Sequence, residues 1–156
     1  FINPTMAFQS GDISRIPLPS KNYTDVNLGP AKKCIGLSIA DWDAYETSWD
    51  FTTLPLLAPE HRDQTLAGSY ARLRAHWHGM TEEMQRLEEE NNRIFIDAYG
   101  LQDELTPVVP LNEITLTCNP HYRYGGGKTE EELEARADEL VELASIVWSP
   151  LCAAKE

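Results

Sequence analysis

The chain has 156 residues, enough for one core of its own, and carries a formal net charge of −12. The charge is uneven: residues 1–36 hold Arg15, Lys21, Lys32 and Lys33 against Asp12 and Asp25, a net +2, so the remainder carries −14. Most of the surface therefore repels phosphate at short range, which excludes broad coating of nucleic acid and leaves the opening segment as the part suited to DNA.

The opening residues Phe1-Ile2-Asn3-Pro4 offer neither a basic n-region nor a continuous apolar stretch, and no run of 18 apolar residues occurs anywhere. The expectation is a cytoplasmic protein with no membrane partner. It also begins without Met in what reads as mid-element, which points to a piece of a larger polypeptide. Cys34, Cys118 and Cys152 are far apart and in no CxxC spacing, so they read as small hydrophobes in a reducing compartment. Residues 1–20, ending in Ile16-Pro17-Leu18-Pro19, read as a β/turn segment with an extended exit, and residues 21–29 as a polar linker. This gives two units: 1–29 as a tail and linker, and 30–156 as a helical region.

Pro30 suits a first helical position, and Ile35, Ile39, Trp42 and Trp49 recur at helical intervals, predicting a helix over about 31–46. Pro55 and Pro59 break it. From Leu66 the residues Tyr70, Leu73, Trp77, Met80, Met84, Leu87, Asn91, Ile94, Ala98 and Leu101 follow in alternating steps of 4 and 3. That 3.5-residue period predicts a helix of roughly 54 Å whose seam requires a facing helix. Glu82, Glu83, Arg86, Glu88, Glu89, Glu90 and Arg93 read as its solvated face. Asn91 is either a register-setting amide or a point where the seam opens.

Gly100 suits a C-cap, and Glu113 to Cys118 alternates like a strand. Thr129 and Glu132 form a capping box opening a second helix, whose Leu133, Ala137, Leu140, Ala144 and Val147 repeat the 4-3 spacing and make it the expected partner of the long one. The predicted fold class is mainly α: a long heptad-patterned helix packed with shorter helices, with short β/turn segments at the N-terminus and near 113–118.

Chemistry is sparse. Asn119-Pro120-His121-Tyr122 follows the predicted strand as the [D/N/S]-P-P-[Y/F/W] loop of amino-methyltransferases does, where the Asn accepts hydrogen bonds from a flipped base's amine. His121 replaces the second proline, however, and no glycine-rich turn for S-adenosylmethionine precedes it, so a turn anchored by aromatic packing is the preferred reading. His76 and His78, two apart on a helix, diverge and cannot share a metal. His61 reads as a surface residue. Gly125 to Gly127 with Lys128 lacks phosphate-loop spacing. No catalytic, cofactor-binding or metal-ligating residue is assigned.

Three runs resemble the PglX family, large adenine-specific DNA methyltransferases of bacterial BREX phage-defence systems. They are Asp41 to Phe51 (DWDAYETSWDF), Glu90 to Leu101 (ENNRIFIDAYGL) with the following Asp103-Glu104-Leu105-Thr106-Pro107, and Ile114 to Gly125 (ITLTCNPHYRYG). The opening Asn3 to Ile13, followed by Ile16-Pro17-Leu18-Pro19, is also similar to the end of a target-recognition region in such enzymes. The resemblance covers most of residues 1–135 and is expected to lapse after about Ala135. It implies a segment C-terminal to the catalytic domain, linking target recognition to a C-terminal region. S-adenosylmethionine would belong to the parent enzyme and no cofactor to this chain. DNA would be met through the parent, with Asn3, Thr5, Gln9 and Arg15 nearest to it, and other defence-system proteins are possible partners. The alternative is an acidic helical adaptor that pairs with another protein and has no enzymatic activity.

Overall fold

The computed structural model describes residues 14–15, 28–124, 128–129, 131–132 and 135. Three α-helices lie within this span: α1 (Gly29–Asp43), α2 (Leu66–Tyr99) and α3 (Pro120–Tyr124). Single 3-10 turns occur at Pro55–Leu57, Pro59–His61 and Leu111–Glu113. The fold is mainly helical, as expected. The β/turn segment predicted at the N-terminus lies outside the described residues apart from a turn at Ser14 and Arg15.

Pro30 opens α1 where a missing N–H costs nothing. The helix ends at Asp43, short of the expected residue 46, because Asp43 Oδ1 accepts the Ser48 hydroxyl at 2.6 Å and the Tyr45 carbonyl accepts the Ser48 amide at 2.9 Å. These bonds fold residues 44–50 into successive turns.

The start and stop of α2 are local chemistry. Thr65 Oγ1 accepts the Gly68 amide at 3.0 Å as N-cap, and Ser69 Oγ accepts the Asp63 amide at 2.8 Å. A Cβ on Gly68 would lie 2.8 Å from Asp63 Cγ, so this approach requires glycine. At the far end Gly100 takes a left-handed conformation, φ +71°, and its amide returns to the Ile96 carbonyl.

The seam of α2 is buried at its middle and half-buried towards its ends, and its main helical partner among the described residues is α1. The partner expected at 129–147 falls mostly outside the described residues. Leu73, Met84 and Leu87 are buried, and Met84 joins Val109, Ile114 and Leu116 in one core, with Cys34, Leu37, Met80 and Cys118 packed around it. The helix runs unbroken through Asn91, which is half-buried.

Residues 113–118 form no strand, and none occurs among the described residues. The alternation that predicted one is real: Ile114 and Leu116 are fully buried. What it serves is docking against helices. The Leu111–Glu113 turn leads into a tighter turn in which Leu116 N–H returns to the Ile114 carbonyl at 2.9 Å. Both apolar side chains reach the core without a neighbouring strand.

Glu89, expected on the solvated face of α2, instead joins a second packed stripe. Gln85 Nε2 donates to the Val109 carbonyl at 2.8 Å, Glu89 Oε1 accepts the Val109 amide at 3.2 Å, and Asn92 Nδ2 donates to the Pro107 carbonyl at 3.3 Å. These positions, with buried Ile96, recur at i, i+4, i+7 and i+11, about 100° around the helix from Met84. Glu88 is also half-buried, and burial raises its pKa above the ordinary carboxylate range. Arg86 stays on the open side, bridging Glu83 at 2.8 Å and Glu90 at 3.0 Å.

Candidate functional site: the Asp41 and Asn119 hydrogen-bond centre

The segment with the most suggestive sequence, Asn119 to Tyr122, sits where α1, α2 and the 106–119 segment meet. Asn119 is fully buried and both polar atoms of its amide are hydrogen-bonded within the chain. Nδ2 donates to the Leu111 carbonyl at 2.7 Å and to the Ile114 carbonyl at 2.8 Å, while Oδ1 accepts the His121 amide at 3.0 Å. The side chain thus closes the 111–119 loop and caps the single turn of α3. Oδ1 keeps a second lone pair, but at full burial no substrate amine reaches it. The loop is an anchored turn, though hydrogen bonds of Asn119 hold it rather than the aromatic packing expected from sequence: Tyr122 and Tyr124 are half-exposed, with Arg123 set over the Tyr124 ring at 5.6 Å.

Asp41, on the last turn of α1, is the second anchor, and sequence reasoning gave it no role. Its carboxylate is buried and grips two successive amides: Oδ2 accepts from Thr117 N at 2.6 Å and Oδ1 from Cys118 N at 2.9 Å. A carboxylate takes two N–H groups aimed from one turn as an anion takes a backbone nest. This fixes α1 to a loop more than seventy residues away, and its signal in sequence is faint, since an aspartate on a helix ordinarily reads as solvated.

Cys118 lies against this carboxylate and against Thr81 of α2. Burial first, and the Asp41 charge second, push its thiol up to about 12 from an ordinary value near 9. It is a packed thiol, and the thiolate needed for nucleophilic chemistry is suppressed. Burial and the same aspartate also raise the Tyr45 phenol, and burial with the Glu88 charge raises the Cys34 thiol. Thr81 is buried and donates its hydroxyl to the Trp77 carbonyl at 3.0 Å.

The histidines separate as helix geometry requires. His78 approaches Glu82 at 3.8 Å, whereas His76 meets His61 with ring centroids 4.9 Å apart. His61, expected at the surface, is buried, because the Pro59–His61 turn folds it against α2. Among the described residues no group of three His, Cys, Asp or Glu side chains is placed to hold a metal ion. Of the residues assigned to DNA proximity, Arg15 is exposed; Asn3, Thr5 and Gln9, like Gly125 to Gly127, lie outside the described residues. Among the described residues, no helix is long and apolar enough to cross a membrane.

Fold and site together define a helical segment organised around buried structural hydrogen bonds. No family model matches it. The chain is 38% identical over 109 residues to the adenine-specific methyltransferase PglX of Lacticaseibacillus casei (strain Zhang), covering 68% of this chain and 9% of that protein. It is 34% identical over 146 residues to the adenine-specific methyltransferase BrxX of Escherichia coli O9:H4 (strain HS), covering 92% of this chain and 12% of that protein. By sequence the chain is therefore a PglX/BrxX-family segment, corresponding to about a tenth of each of these relatives. The BrxX match covers more of the chain than residues 1–135 alone could supply, so the similarity does not lapse at Ala135 as expected.

Proposed function

We propose that this chain is a non-catalytic segment of a PglX-like, site-specific adenine DNA methyltransferase of phage defence, linking target recognition to the C-terminal region. The parent would transfer a methyl group from S-adenosylmethionine to an adenine amino group on a flipped base. The observation that supports the reading is the fully buried Asn119 amide, whose hydrogen bonds run to the backbone of its own loop rather than toward open space. Its kinship with proteins about eight times longer and named for that activity supports the same assignment. DNA would be met through the parent, with the +2 opening segment, including Asn3, Thr5, Gln9 and Arg15, nearest the phosphates.

Calorimetry on the isolated chain with S-adenosylmethionine is expected to show no binding; stoichiometric binding would overturn the assignment. In E. coli BrxX, replacing the matched segment by a flexible linker is expected to abolish site-specific adenine methylation while leaving S-adenosylmethionine binding intact. Undiminished methylation of the same sites would remove the linking role.

A further inference from the structure

The outward face of α1 has no cover among the described residues. Ile35, Ile39 and Trp42 are each more than half exposed, and Trp49 on the following turns is fully exposed beside them. Apolar surface gathered in this way lowers its free energy when covered. Gly36 is exposed on the same helix, and a Cβ built there would meet nothing within 4 Å. Glycine inside a helix is destabilising relative to alanine, and no described neighbour requires it at position 36.

We propose that this face pairs with the same face of a second copy of the chain, the two α1 helices running antiparallel about a two-fold axis at the level of Leu37 and Ser38. Lys32, Gly36, Ile39 and Asp43 are spaced i, i+4, i+7 and i+11 and so form one stripe along the helix. Turned end for end, that stripe is its own complement: Lys32 falls opposite Asp43, and Gly36 falls opposite Ile39, on both sides of the axis. Each Ile39 therefore meets the gap that Gly36 leaves, and the missing side chain lets the helices approach closely. Charge selects the same sense, because parallel pairing would set Lys32 against Lys32 and Asp43 against Asp43. Lys32 is exposed, and Asp43 Oδ1 is held by the Ser48 hydroxyl at 2.6 Å, which orients the carboxylate for the opposite ammonium. Ile35, Trp42 and Trp49 flank the stripe and widen the apolar contact.

Sedimentation velocity of the full chain tests the pairing, and a monomer–dimer equilibrium is expected within the micromolar range. G36Q places a side chain in open space in the monomer but against Ile39 of the partner in the dimer. It should weaken association at least about tenfold, while the melting temperature of the dilute chain stays level or rises. K32E and D43K should each weaken the dimer as well. An equimolar mixture of the two should nonetheless form a heterodimer, because opposite charges again face each other on both sides of the axis. If D43K does not fold for want of the Ser48 bond, G36Q and K32E decide alone. A monomer throughout that range, a dimer that G36Q leaves as tight, or a mixture that stays monomeric with both variants folded would overturn the pairing.

Discussion

The two halves of α2 are held in different ways. The upstream half, Leu66 to Met80, is stitched to the segment just before it: the Thr65 cap, the Asp63 amide on Ser69, and the Arg72 guanidinium, which reaches Asp63 at 2.9 Å and the Arg62 carbonyl at 2.9 Å. These partners are at most ten residues apart and largely exposed. The downstream half is gripped by residues 106–119 through buried aliphatics and through hydrogen bonds spanning 15 to 24 residues, with Asp41 tying in α1 from 76 residues away. Local stitches decide where the helix starts. The distant ones decide what it packs against.

If this division is right, perturbations should be graded from the downstream centre outwards. Ile114→Ala opens a cavity at a fully buried position beside Met84 and Leu116 and should cost about 2–5 kcal/mol in urea unfolding. Asp41→Asn keeps the shape but turns an amide N–H toward a backbone N–H. The loss of a buried charged acceptor should cost about 2–3 kcal/mol by the same measurement. A loss below about half a kcal/mol would mean that the centre is not what holds α1 to the loop.

The centre should also show in alkali. The Cys118 thiol titrates near 9 when unfolded and about 12 when folded, so its contribution is fully present below pH 9 and is lost as pH rises towards 12. The raised Tyr45 and Cys34 groups act in the same direction. Cys118→Ala should flatten the fall in melting temperature over that window. An unchanged profile would remove Cys118 as its source.

Upstream changes should be smaller. Thr65→Ala should cost about 1 kcal/mol through the lost cap, and Arg72→Ala less than about 1 kcal/mol because its ion pair is largely exposed. The smallest effect has the opposite sign. Burial raises the Glu88 pKa, so Glu88→Gln should slightly raise the melting temperature at neutral pH and do nothing at pH 3, where the carboxyl is already protonated.

The same division explains what could be read from sequence. The start of α2 at Leu66, its cap at Gly100, the capping box at Thr129 and the divergence of His76 from His78 all follow from neighbours within a few residues, and each was legible. The seam was legible as a seam, because apolar spacing reports which face is buried, but spacing does not report against what. Ile114 and Leu116 were correctly expected to be alike in burial and wrongly expected to form a strand, since alternation is equally served by a loop pressed on helices. Asp41, Gln85 and Glu89 carried no local signal: charged and amide side chains on helices ordinarily face water, and only the fold brings distant backbone groups to them. The Asn119 role was legible in part, through the proline missing from its motif.

Pro107 to Pro110 has the extended, apolar look of a segment that would recruit another strand. Pro107 and Pro110 have no N–H to offer; Val109 gives its own to Glu89, and Val108 gives its own to Thr106 Oγ1 at 3.4 Å. The two amide protons of that stretch are both taken by side chains, and Gln85 occupies the Val109 oxygen as well. In its native arrangement this piece of a much longer family of proteins thus presents no donor there on which cross-β aggregation could be templated.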